Sequence, residues 1–435
     1  MKITIMSIGS RGDVQPFIAL GQGLMRAGHE VKLASNSTFA GMITGAGLGF
    51  ALISGNPQQL IEDNREALTK RSVFGGFNFA MTLLRLVEPL LEQINEEAIS
   101  ACADAEALIY SPTMMVPGLA ISDQRRIPGT LAQLAPTFTP TREITPIFLP
   151  ELPLPNLLRG WYNQLGYGIT KQFGRLIWSR FGNPLRRELG LKPLSLGAIY
   201  RRQQRGRIQT LCGWSRHVVP KPADWPAAHQ VTGYWFVNPA LVEPPTPGLV
   251  EFLQAGPKPI YCGFGSMVGG NSLQLSQTIL AAVERTGCRA VLATGWGGLV
   301  ADEVPDNVFV IERVAHDWLF PQTAAVVHHG GAGTTAAGIK AGVPGIIIPF
   351  LAADQQFWGN RLAKLGVGVP PRRYQDVTVD WLAEALTAVQ AAEVQQRASA
   401  LGEQVQAEGG VEQAVAVFEA HTARWHSRAM QTVSP

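Results

Sequence analysis

Two short stretches hold residues whose types and spacing could do chemistry. The first, "IGSRGDVQPFIALG", sets Ser10, Arg11, Gly12 and Asp13 between an apolar run and an amphipathic one. A carboxylate placed there can take a proton from a substrate hydroxyl, or it can cap the following helix by accepting from backbone N–H groups. Arg11 reads either as a partner for an anionic group or as a solvated side chain. The second, "AAVVHHGGAGTTAAG", ends an apolar run at His328 and His329 and continues with Gly330, Gly331, Ala332, Gly333, Thr334 and Thr335. Glycines let backbone N–H groups approach a phosphate closely, and a helix N-terminus carries partial positive charge. Imidazole and threonine hydroxyl groups can donate to the same anion. Tight strand-to-helix packing uses the same composition, so both readings stand at this point. The turn matches neither GxxxxGK[ST] nor GxGxxG.

The elements around the first stretch are readable. "MKITIMSIG" is short, apolar and rich in β-branched residues, "QPFIALGQGLMRAGH" repeats apolar residues at helical spacing, and "EVKLAS" resumes strand patterning. This predicts a βαβ unit, with Ser10 to Asp13 at the carboxyl end of a parallel strand, where such sheets gather ligands. Alternation continues through "ALISG" and "EALIYS". From Pro136 to about Leu194 the pattern turns to prolines, aromatics and short amphipathic pieces, which reads as a covering over a hydrophobic pocket. A proline-rich connection, "VNPALVEPPTPG", then leads to a second α/β series: "PIYCGFGS", "RAVLATGW", "VFVIERV", "AAVVHHGG" and "PGIIIPF". The expected domains are 1–238 and 249–410, with 411–428 as a C-terminal helix that packs back on the first.

Composition narrows the function class. The 435 residues, 46% of them hydrophobic, suffice for more than one core, and 36 basic against 33 acidic residues leave a net charge of +3. So weak a field does not favour nucleic acid as partner. One basic cluster, "YRRQQRGRIQ", reads as a solvated face or a contact for an anionic surface. Four scattered cysteines without CxxC spacing read as reduced, buried thiols. No signal segment is apparent and no apolar run nears the ~18 residues that span a bilayer, so a cytoplasmic location is expected. Residues 144–155, "ITPIFLPELPLP", are apolar and broken by prolines; they suit lining a pocket or touching a membrane without crossing it.

The stretch from Arg313 to Gln355, with "HHGGAGTT" and "GVPGIIIPFLAADQQFWG", resembles the nucleotide-sugar signature of the family 1 glycosyltransferases. It is most similar to the branch holding sterol glucosyltransferases and bacterial antibiotic glycosyltransferases, and "GSRGDVQPFIALG" and "TGYWF" extend the likeness to both halves. The resemblance implies a GT-B fold, two Rossmann-like domains facing each other across a cleft. It implies that His329, with His328 as the second candidate, contacts the donor diphosphate together with Gly331, Ala332, Gly333, Thr334 and Ser266; Arg11 reads as orienting Asp13, as meeting the departing phosphate or as an exposed side chain. Asp354 and Gln355 match the acid-glutamine pair that binds sugar hydroxyls, which suits one acceptor and one donor-acceptor side by side. Asp13 stands where many relatives carry a histidine, and is the implied general base.

Two positions depart from the pattern. Where plant members carry a base-stacking tryptophan and a ribose-binding glutamate, this chain has Arg313 and Ala337. Val314 backbone groups and Trp296 are the candidates for the nucleobase, the latter equally readable as a core residue. No Asp-x-Asp pair occurs, so no metal and no cofactor are expected. The expected function is therefore inverting, metal-independent transfer of a hexose, glucose from UDP-glucose foremost. The acceptor would be a hydroxyl of a lipophilic small molecule such as a sterol, terpenoid, polyketide or phenol. Walls for it are expected from residues 136–181 and 74–91. A dTDP-deoxysugar donor and a non-catalytic nucleotide-sugar-binding protein are the alternatives. Oligomeric state is not legible.

Overall fold

The computed structural model describes residues 1–55, 85–86, 88–136, 139–146, 149–237, 247–265, 272–294, 304–350 and 353–431. Ser266, Trp296 and most of the 74–91 stretch lie outside the described residues. The chain forms two compact units, Met1–Val237 with Gly409–Pro435, and Asn238–Glu408.

In the first unit, strands β1 (Lys2–Met6), β2 (Glu30–Ser35), β3 (Gly49–Leu52), β4 (Ala107–Tyr110), β5 (Gly129–Gln133), β6 (Gln209–Cys212) and β7 (His229–Val231) lie in the order β3-β2-β1-β4-β5-β6-β7. Every pairing is parallel, with Ile3 opposite both Val31 and Ala107. Successive strand residues point to opposite faces. Ile3, Ile5, Val31, Leu33, Ala107 and Ile109 enter one core, while Met6, Ala34, Leu108 and Tyr110 enter the other. Burial on both sides explains why these strands are short apolar runs with no polar alternation.

In the second unit, β8 (Ile260–Gly263), β9 (Ala290–Ala293), β10 (Val308–Ile311), β11 (Ala325–His328) and β12 (Gly345–Ile347) form a second parallel sheet, ordered β10-β9-β8-β11-β12. Each sheet reverses its winding once, between β1 and β4 and between β8 and β11. The crevice at such a switch point, beyond the strands' carboxyl ends, is where doubly wound folds bind ligands.

The C-terminal helix Gly410–Gln431 returns to the first unit. Val411, Ala414, Val415 and Phe418 join the core under the helix Arg11–Arg26, and Arg26 and His29 meet Glu412 and Glu419 at 3.3 and 3.1 Å. Close approach depends on Gly23, where a Cβ would come within 2.2 Å of Val411 Cγ1.

One stretch differs from its sequence reading. Residues 156–177 form a single 22-residue helix, Asn156–Ile177, where short pieces were expected. Its glycines read as breakers but serve close packing: a Cβ on Gly166 would meet Leu149 Cδ1 at 2.4 Å, and one on Gly174 would meet Leu196 Cδ2 at 3.0 Å. Cys102, Cys212 and Cys262 are buried and Cys288 half-buried, all as free thiols. Among the described residues, no helix is long and apolar enough to cross a membrane.

Candidate functional site

At the first switch point, β1 ends at Met6, and residues Ser7 to Ser10 lead into the helix Arg11–Arg26. Asp13 sits in its first turn. Its Oδ2 accepts both the Ser10 N–H and the Ser10 hydroxyl at 2.8 Å, and the Asp13 N–H donates to the Ser10 carbonyl at 2.9 Å. Asp13 is thus a helix cap, and the positive end of the helix favours its charge. The cap occupies one oxygen; among the described residues nothing bonds Oδ1. Solvent reaches the side chain. The protein around it thins that solvent, and this desolvation pushes the carboxyl above its ordinary value, against the opposing pull of the two bonds from Ser10. The exposed surface limits the rise.

The loop beneath it is fixed from several sides. The Ser7 hydroxyl donates to the Asp13 carbonyl at 2.9 Å, and the Thr113 hydroxyl donates to the Ile8 carbonyl at 3.3 Å. Buried Asn36, just past β2, accepts from the Gly9 N–H at 3.5 Å and donates to the Gly55 carbonyl. Gly9 is obligatory because a Cβ there would lie 2.4 Å from Asp13 Oδ2. Sequence reasoning placed Ser10 at the strand end without its bonds to Asp13, and gave no role to Asn36 or Thr113; the available signal was a polar residue directly after a buried strand. Arg11 is exposed, and its Nε donates to Gln15 Oε1 at 3.2 Å.

At the second switch point the two histidines part company. His328, 1% exposed, is the last residue of β11, and its Nδ1 accepts the Gly330 N–H at 3.1 Å. Burial, with His329 and His316 nearby, holds its pKa far below the ordinary value. His329 is half-buried and turns the other way. Among the described residues its buried Nδ1 has no hydrogen-bond partner, and a Cβ on Gly331 would lie 2.6 Å from its Nε2. Burial lowers it to about 4, so near neutrality it is an uncharged imidazole beside the start of the helix Ala332–Lys340.

Gly331 caps that helix without a side-chain bond, and Thr335 is the first residue whose N–H finds an intrahelical acceptor, the Gly331 carbonyl at 3.0 Å. The N–H groups of Ala332, Gly333 and Thr334 have no partner within the helix. Three converging donors, a neutral imidazole and a helix dipole can hold a diphosphate.

The turn is pinned to the next helix, Ala353–Leu365. Gly330 has φ +93°, and a Cβ there would meet the Gln355 carbonyl at 2.9 Å. This places Asp354 and Gln355 beside the histidine turn. Gln355 is 3% exposed and its Oε1 accepts the Phe350 N–H at 2.8 Å, so it holds the strand end in shape; half-buried Asp354 is the more open of the pair. Val314 and Ala337 both pack on the cluster around Tyr261 and Phe320, while Arg313 is exposed. Among the described residues, no three His, Cys, Asp or Glu side chains gather closely enough to hold a metal ion.

Known proteins resemble this chain in sequence and in fold. Residues 3–142 match the glycosyltransferase family 28 N-terminal domain, and residues 287–415 match the C-terminal domain described as erythromycin biosynthesis protein CIII-like. The sterol 3-beta-glucosyltransferase UGT80B1 of Arabidopsis thaliana is 33% identical over 427 residues, covering 97% of this chain and 68% of that protein. The sterol 3-beta-glucosyltransferase of Emericella nidulans is 34% identical over 430 residues and 95% of this chain, which spans 29% of that protein's length. Among solved structures, the glycotransferase of kitacinnamycin superposes with a TM-score of 0.71 at 19% identity, covering 97% of this chain and 98% of the other. The calicheamicin glycosyltransferase CalG4 does so at 0.68 and 16%, covering 100% and 99%. The fold is therefore GT-B. By its relatives the chain belongs to the glycosyltransferase family that includes the sterol 3-beta-glucosyltransferases.

Proposed function

We propose that this protein is an inverting glycosyltransferase that moves glucose from UDP-glucose onto the hydroxyl of a lipophilic acceptor, with sterols first among the classes. The observation that carries the reading is the histidine turn: an uncharged imidazole whose Nε2 lies against Gly331, beside three N–H groups that lack intrahelical partners. A diphosphate leaving group develops negative charge as its bond to the sugar breaks, and these donors are already in place to receive it. His329 and the amides of Ala332, Gly333 and Thr334 take this role, with Asp354 holding sugar hydroxyls. Ser266 is assigned to the phosphates by resemblance, Arg11 is the candidate to meet the departing phosphate or orient Asp13, and Val314 and Trp296 are the candidates for the base. Transfer then needs no metal ion.

Asp13 Oδ1 accepts the acceptor's proton as its oxygen attacks the anomeric carbon, with inversion there. The acceptor class rests on the relatives' own description as sterol 3-beta-glucosyltransferases, at 33–34% identity across nearly the whole chain. A dTDP-deoxysugar donor is the second reading, because Arg313 and Ala337 stand where plant members carry a base-stacking tryptophan and a ribose-binding glutamate, which leaves the nucleoside unassigned.

The test is transfer from UDP- and dTDP-sugars to sterol, polyketide and phenolic acceptors in EDTA, with products followed by mass and anomeric configuration by NMR. Glucosylation of a sterol from UDP-glucose, inverted and surviving EDTA, is the expected result. Tight UDP-glucose binding without transfer to any acceptor would instead make the protein a nucleotide-sugar binder.

A further inference from the structure

The helix Asn156–Ile177 is apolar on its outer side. Its buried positions are Gly160, Asn163, Gly166 and Tyr167, whereas Leu157, Trp161, Leu165 and Ile169 are 79, 76, 69 and 57% exposed. Spacing of four places these side chains in one stripe, and Leu158 and Leu176 extend it along a helix ~33 Å long. A helix on a protein surface ordinarily turns its apolar stripe inward. Here close packing forbids rotation: Gly166 lies against Leu149 and Pro146, and the Asn163 amide donates to the Arg142 carbonyl at 2.8 Å.

The segment that holds this helix is cationic. Between residues 156 and 207 the chain carries eleven Lys and Arg residues and a single acid, Glu188. Arg186 and Arg202 pair with Asp123, and Arg180 pairs with Glu88. Arg175, Arg187, Arg201, Arg205 and Arg207 are exposed, and among the described residues none has a carboxylate partner. An apolar stripe bearing tryptophan, on a helix that carries no acid and in a segment rich in arginine, complements an anionic lipid surface, although Asp224 lies near the helix's inner side at Tyr167: the stripe enters the acyl boundary and the cations of the segment meet the headgroups. A symmetric contact with a second copy would instead bring two such cationic regions together.

We infer that this helix docks the protein on an anionic bilayer, lying in the plane of the interface. The inference stands apart from the transfer reaction, because docking is read without donor or acceptor.

The experiment is co-sedimentation of the full chain with vesicles of phosphatidylcholine alone and with about 30% phosphatidylglycerol, at low and high salt. The anionic vesicles are expected to take up the protein at least about tenfold more strongly, with salt weakening uptake. A Trp161→Gln/Leu165→Gln variant is expected to lose at least about tenfold in partitioning with an unchanged melting temperature, since both side chains are exposed. An Arg201→Gln/Arg205→Gln variant, which leaves the stripe intact, should lose the preference for anionic lipid. No uptake by either vesicle, or uptake indifferent to both variants, overturns the inference. So does a concentration-dependent dimer that the Trp161→Gln/Leu165→Gln variant turns monomeric while vesicle uptake is unchanged.

Discussion

Asp13 holds two positions at once. Oδ2 closes the first turn of its helix through Ser10, which fixes the carboxylate's direction, while Oδ1 carries no protein bond. Asp13→Asn keeps the shape and an acceptor for the Ser10 N–H but abolishes basicity, so transfer should fall at least about a hundredfold while UDP affinity holds. Ser10→Ala removes one of the two bonds that stabilise the charged form, so the Asp13 pKa should rise further. The acid limb of kcat/KM should then move to higher pH; a limb that does not move would detach Asp13 from the rate. The two histidines separate in a different way. His328→Ala leaves the Gly330 N–H unsatisfied in a buried site and should cost roughly 2–4 kcal/mol of stability. His329→Ala loses no protein hydrogen bond at Nδ1, so its melting temperature should hold, while calorimetric UDP affinity drops roughly ten- to a hundredfold. Equal effects of the two substitutions on affinity would contradict this division.

The elements that carry these residues depend on glycines where a side chain has no room. Gly330→Ala would combine a positive φ with a Cβ driven into the Gln355 backbone, so the histidine turn must shift and UDP affinity should fall at least as far as in His329→Ala. Gly23→Ala would press on Val411 and should lower the first unit's stability by about 1–3 kcal/mol, read by thermal unfolding, with no direct effect on the donor turn. Legibility followed the same physics. Strands buried on both faces are continuous apolar runs, so β1, β4, β8 and β11 were readable from sequence, and so was the glycine-rich turn after His329. The helix Asn156–Ile177 was not: Gly160, Gly166 and Gly174 face inward for close approach and its leucines face outward, which inverts the pattern that identifies a surface helix. The residues alone did not say which histidine faces the turn, because strand-end geometry decides it; only the family resemblance ranked His329 first. Asn36 was missed because its role arises from the Gly9 N–H and the Gly55 carbonyl, brought together only in the folded sheet.

At the scale of the molecule, the chain leaves the first unit, builds the second and returns, so the first core is completed by its last helix. That helix carries a buried histidine, His421, and the first unit holds another at His229 in β7, 3% and 1% exposed. Burial is the leading cause that lowers both to about 4, as it does His329 in the second unit, and burial also holds His328 well below its ordinary value. Unfolding would release each to an ordinary value near 6.5. Between pH 6.5 and about 4 the unfolded chain therefore binds more protons than the folded one. Stability is fully present above the unfolded value and is lost as pH falls toward the folded one, by up to ~1.4 kcal/mol per pH unit for each histidine. Asp104, whose carboxyl is held low chiefly by its hydrogen bond from Lys32, acts in the same direction but only in the carboxylate range below this window. Melting temperatures measured from pH 7.5 to 4.5 should thus decline steadily on acidification. A His229→Gln/His421→Gln variant should decline less steeply, since two of the proton-binding sites of the unfolded chain are gone. A parent whose melting temperature is flat across this window, or a variant as steep as the parent, would show that water or a shifted backbone already satisfies these imidazoles in the folded protein.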